Sequence, residues 1–96
     1  MSIQTPTPVD LSKYIDRRLF GERPHIRGRR IPVAIIAYQQ RANNWTIAET
    51  AHNFSLSGAQ ILAALLYYDE HQAMIDEQEA EERRQFDAMK HQHGNG

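Results

Sequence analysis

The sequence predicts a mainly α protein: a small N-terminal β-hairpin, a helix-turn-helix core of trihelical, winged or homeodomain-like type, and a long C-terminal helix. Three observations carry this. Gly21, Pro24, Gly28 and Pro32 cut residues 11–33 into pieces too short for a useful helix. Two capping-box signatures, Thr46-Ile47-Ala48-Glu49 and Ser57-Gly58-Ala59-Gln60, stand 11 residues apart. From Ile61 onward, apolar residues recur at three- and four-residue steps as far as Ile75.

Taken in order, Tyr14–Leu19 and Arg30–Val33 read as short strands, with His25–Arg27 a candidate third. Gly28-Arg29 forms a tight turn, and Pro32 belongs to a sheet edge or to the first turn of a helix. The first helix spans Ala34–Ala42, with Val33, Ile36, Ala37 and Gln40 on one face, and Asn43-Asn44 ends it in a left-handed conformation. A short helix from Thr46 to about Asn53 turns through Phe54-Ser55-Leu56, with Ser55 where such turns often carry Gly. Leu56 and Ile61 flank the second capping box as a hydrophobic staple.

A single long helix is then expected from Ser57 onward, burying Ile61, Leu62, Leu65, Leu66 and Tyr68 and then Met74 and Ile75. Past that point the pattern fails, since Asp76–Gln85 holds one apolar residue, Ala80. Glu79–Arg83 and Glu81–Arg84 pairs would keep this stretch helical without a core to join. The organisation is therefore a flexible N-terminus at 1–10, with Thr/Pro-rich Met1–Val9, a folded unit at 11–76, and an acidic helix or tail at 77–96 that frays from His91.

Ninety-six residues make one domain, and 41 % apolar content is a thin core for that length, which favours a dimer or a loose end. The absence of cysteine excludes a disulfide scaffold, a thiolate metal site and a thiol nucleophile. Ile61–Tyr68 is the longest apolar run, eight residues, where a membrane span needs roughly 20. No charged-then-apolar leader opens the chain, so a soluble cytoplasmic protein is expected. The net charge of −1 hides a division. Residues 1–48 carry eight Lys/Arg against three acids, and residues 49–96 carry three against nine.

The positive charge concentrates in Arg17, Arg18, Arg23, Arg27, Arg29 and Arg30, candidates for phosphate contacts or for the acidic helix of another subunit. The second helix of the helix-turn-helix offers only Gln60 as a base reader, since Ser57, Gly58, Ala59, Ala63 and Ala64 supply no bidentate donor. Small residues there favour a dimer or partner surface, with Ala63 and Tyr67 as contacts. Glu77, Glu81, Arg84 and Phe86 are the corresponding candidates on the C-terminal segment. The five histidines lack metal-ligand spacing, and no catalytic triad, paired carboxylates or phosphate-cradling loop appears. Neither catalysis nor a cofactor is expected.

Gly21-Glu22-Arg23-Pro24-His25-Ile26-Arg27-Gly28-Arg29-Arg30-Ile31-Pro32-Val33 resembles the signature G-x-(K/R)-P-x-I-x-G-T-R-I-P-V of the prokaryotic domain of unknown function family 433, which groups with VapB-type antitoxins. Trp45–Glu49 and Ala63–His71 resemble the family's second stretch, so the likeness covers about residues 14–76. Arg29 stands where the family favours Thr, and Asn44 where Gly is common. The resemblance implies a hairpin plus helix-turn-helix, usually homodimeric, often encoded beside a small PIN-like nuclease. An antitoxin that binds this nuclease and operator DNA is the first expectation. A stand-alone DNA-binding regulator and a dimeric interaction module without DNA are the alternatives.

Overall fold

Proline and glycine shape the N-terminal part of the computed structural model, which describes residues 10–17 and 23–94. After a 3-10 turn at Leu11–Lys13, strands β1 (Ile15–Asp16) and β2 (His25–Ile26) pair antiparallel, Ile15 opposite Ile26 and Asp16 opposite His25. Gly28, at φ +79°, sits third in a turn closed by the Arg29 amide on the Ile26 carbonyl at 3.0 Å, a conformation that favours glycine. The candidate third strand at His25–Arg27 is the one that pairs, as β2, while the strand expected at Arg30–Val33 reduces to one bridge between His25 and Pro32. Pro32 has no amide to extend a ladder, and with φ −64° it caps the next helix instead. β1 is also shorter than the expected Tyr14–Leu19, whose last two residues lie outside those described.

Helix α1 (Val33–Asn43) buries Val33, Ala34, Ile36 and Ala37, and stops where Asn44 turns left-handed at φ 52°. The Trp45 amide then closes back on the Gln40 carbonyl at 3.1 Å. Helix α2 (Ile47–Phe54) starts in a complete Thr46/Glu49 capping box and ends at Ser55, also left-handed at φ 55°. Helix α3 (Gly58–Glu70) opens with the Ser57/Gln60 box and packs on α1 and α2. Thus α2 and α3 form a helix-turn-helix across Ser55–Ser57.

Two expectations fail beyond this point. The buried face of α3 is Ile61, Ala63, Ala64, Tyr67 and Tyr68, while Leu62 and Leu66 face outward. Alanines let three helices approach closely where leucines would hold them apart. The long helix is also not continuous from Ser57. At His71, φ −127° and ψ 29°, the chain leaves helical geometry, and α4 (Gln72–Gly94) begins afresh. The His71 amide is shared between the Tyr67 and Tyr68 carbonyls, and its Nδ1 lies 3.0 Å from the Tyr67 carbonyl oxygen. One core joins the hairpin to α1, α3 and α4 through Ile15, Ile26, Ile36, Ile61, Tyr68 and Ile75, and Ile47, Ala51 and Phe54 of α2 pack against it. Among the described residues, no helix is long and apolar enough to cross a membrane.

Candidate functional site

The hairpin's arginines divide between the interior and the surface. Arg23 donates two bonds of 2.8 Å, from its ε and η nitrogens, to the carboxylate of Glu79 on α4, and both side chains are largely shielded from water. Arg27 reaches back across the hairpin to the Ser12 and Ile15 carbonyls and pairs with Asp16 at 3.2 Å. Arg29 donates to the Ser55 carbonyl at 3.1 Å, at the end of α2 where unpaired carbonyls gather negative partial charge. Arg17 and Arg30 are exposed and form no ion pair among the described residues, and Arg18 lies outside them. Arg27, Arg29 and Arg30 all remain in contact with solvent around the Gly28 turn, so the tip is basic although two of its members are anchored.

Gln60 is committed to the cap of α3, its Oε1 accepting from the Ser57 amide at 2.8 Å. Ala63 and Tyr67 are buried, Ala63 at the base of a groove and Tyr67 stacked on the His71 ring at 4.2 Å. That groove, about 260 Å³, runs between α3 and the segment before β1, lined by Leu11, Tyr14, Ala59, Leu62, Ala63 and Leu66. Every lining side chain but the Tyr14 phenol is hydrocarbon. The outward face of α3 around Leu62 and Leu66 is therefore suited to apolar contact, and its groove lining holds none of the Arg, Asn or Gln side chains that read purine edges bidentately.

The first turns of α4 are anchored by Ile75, which the apolar stripe placed in the core, and by Asp76 and Glu79, at which that stripe had already ended. Ile75 is fully buried. Beside it, one carboxylate oxygen of Asp76 accepts from the Tyr38 hydroxyl at 2.6 Å and the Tyr68 hydroxyl at 2.8 Å, joining α1, α3 and α4. The Tyr38 hydrogen bond, followed by that of Tyr68, holds the Asp76 carboxyl below the usual range, against an opposing effect of burial. Both phenols are pushed up, first by burial and then by their bond to Asp76. The two rings meet edge to face at 5.8 Å, and the Arg41 guanidinium lies 5.5 Å from the Tyr68 ring centre. Asp76 and Glu79 follow Ile75 at one- and four-residue steps, which continues the face that the apolar stripe began.

Glu79 pairs with Arg23 rather than with Arg83 at i+4, whereas the expected Glu81–Arg84 pair forms at 2.7 Å. Arg84 also bonds Glu77 at 2.8 Å, so Glu77, Glu81 and Arg84 make one exposed network. From Glu81 to Lys90 every residue is exposed. This arm carries two large apolar side chains, Phe86 at 65 % and Met89 at 60 % exposure. It remains helical to Gly94, past the His91 where fraying was expected, and the molecule measures 71 × 25 × 23 Å. Among the histidines, His25 is buried with Nδ1 3.1 Å from the Arg23 carbonyl oxygen. No group of three metal-ligating side chains forms among the described residues.

A β-hairpin leading into a helix-turn-helix, with an added helical arm, defines the class of protein. Residues 14–68 match the family described as Protein of unknown function (DUF433), and the chain belongs to that family. The match ends within α3, so α4 and its Asp76 and Glu79 anchors lie outside it. No curated protein and no solved structure matches the chain.

Proposed function

We propose that this chain is an antitoxin-like adaptor that acts by binding in the cytoplasm, with no catalytic step and no cofactor. The hairpin–helix-turn-helix head assembles as a homodimer, and the arm beyond Ala80 covers a small PIN-like nuclease. The observation that carries this reading is the arm itself. It leaves the head as a helix with no core of its own, yet exposes Phe86 and Met89 on an otherwise polar surface. An isolated helix of this kind is marginal in water, and a partner that buries its apolar side chains stabilises it.

Operator DNA, in this reading, is held through backbone phosphates by Arg17, Arg18, Arg27, Arg29 and Arg30 rather than read by α3. The apolar outer face of α3 speaks against a stand-alone sequence reader. The test is co-expression with a small PIN-like nuclease from the same genome. Phe86→Asp/Met89→Asp should abolish neutralisation and co-purification while leaving the circular dichroism of the chain unchanged, since both positions are exposed. Full neutralisation by that variant would overturn the assignment of the arm.

A further inference from the structure

The groove on α3 and the apolar pair on the arm belong to the same chain but cannot meet within it. Phe86 lies eleven residues beyond Ile75, about 16 Å along a continuous helix directed away from the head. The two surfaces nevertheless match. The groove is apolar and partly open, with Leu62 and Leu66 at 56 % and 38 % exposure. The arm offers Phe86 and Met89, three residues apart on one side of a helix, a spacing that suits a groove.

Charge agrees with shape. Lys13, its ammonium 5.6 Å from the Tyr14 ring centre, gives the groove a basic edge. Asp69 and Glu70, three and four residues after Leu66 and both exposed, give it an acidic one. On the arm, Glu82 precedes Phe86 by four residues and Lys90 follows it by four, so its apolar pair is likewise flanked by one charge of each sign. One direction of docking then sets Lys90 against Asp69 and Glu70, and Glu82 against Lys13.

We infer that the groove takes the arm of a second copy of this chain, each arm crossing to the other head, so that Phe86 and Met89 of each copy pack against Leu62 and Leu66 of its partner. A two-fold dimer then holds two equivalent contacts. The same apolar pair serves one contact at a time, so a nuclease that captures Phe86 and Met89 displaces them from the groove; arm exchange is the state of the chain without that partner, and its test uses the full chain alone.

Sedimentation equilibrium should show a dimer, and Leu62→Asp and Phe86→Asp should each raise its dissociation constant about tenfold or more, because either change buries an unpaired carboxylate. Both positions are exposed in the single chain, so circular dichroism should remain unchanged. Mixing the two variants should recover dimer, since a pair of unlike chains retains one intact groove facing one intact arm. A Phe86→Asp chain that dimerises like the parent would overturn the inference, as would a monomeric parent. The absence of cysteine allows a second measurement. Leu62→Cys and Met89→Cys chains, differently tagged, should cross-link to each other on oxidation. Cross-linking only between two Leu62→Cys chains would instead show a groove-to-groove dimer and sink the exchange.

Discussion

Arg23 and Glu79 are separated by 56 positions, and two parallel 2.8 Å bonds between them fasten the hairpin to α4. The planar guanidinium matches the carboxylate edge, and both side chains are mostly out of water, at 20 % and 12 % exposure. Removing one partner leaves the other charge poorly solvated. Glu79→Gln should therefore cost about 1–2 kcal/mol and speed hydrogen exchange in the first turns of α4. A double-mutant cycle with Arg23→Ala should return a coupling of about 1 kcal/mol, and zero coupling would show the pair to be incidental.

The Asp76 cluster makes a prediction in pH. Its folded carboxyl titrates below the unfolded value, so the stability it contributes is present above about pH 4 and is lost as pH falls through the depressed folded pKa. Tyr38 and Tyr68 behave oppositely. Their folded pKa values are raised, so their contribution is intact below about pH 10 and declines above it, as the unfolded phenols ionise first. Asp76→Asn should flatten the acid limb of stability against pH. Tyr38→Phe should flatten the alkaline limb. Chemical denaturation across the pH range measures both, and unchanged limbs would remove the cluster from the anchoring of α4.

What sequence disclosed here was local. Both capping boxes and the left-handed terminus at Asn44 depend on bonds spanning three to five residues, and each stands where the residue types favour it, whereas the left-handed Ser55 holds a residue that does not favour that conformation. The burial of α3 was less legible because Ile61–Tyr68 is apolar all round, and only the approach of α1 and α2 selects Ala63 and Ala64 over Leu62 and Leu66. Arg23–Glu79 was invisible for a different reason. An i,i+4 partner for Glu79 was present at Arg83, and nothing in a one-dimensional pattern favours a contact 56 residues away. Arg27 and Arg29 likewise looked like free charge, since the carbonyls that hold them come from other segments.

Ser55 offers a stabilising change. Its φ of 55° is left-handed, where a side chain costs about 1 kcal/mol relative to glycine, and its side chain makes no hydrogen bond to a described residue. The contact from Arg29 is to the backbone carbonyl, which a substitution preserves. Ser55→Gly should add about 0.5–1 kcal/mol, or about 2–8 °C in Tm. Gly28→Ala is the converse, because Gly28 at φ +79° has open space around it and only backbone strain opposes a methyl group. It should cost about 1 kcal/mol, and a neutral result would mean the turn relaxes to another conformation.

The division among the arginines predicts how any nucleic-acid binding depends on salt. A phosphate contact releases counterions, and each one lost reduces the slope of log affinity against log salt by about one. Arg30→Ala and Arg17→Ala remove exposed guanidinium groups with no ion pair to a described residue, so each should lower the slope by about that amount. Arg23→Ala removes a charge already neutralised by Glu79 and should leave the slope unchanged while destabilising α4. Fluorescence anisotropy on duplex DNA at several salt concentrations separates the two classes. Equal slopes for all three variants and the parent would place phosphate contact outside the hairpin. Binding without salt dependence would remove the phosphate contact from the proposed function altogether.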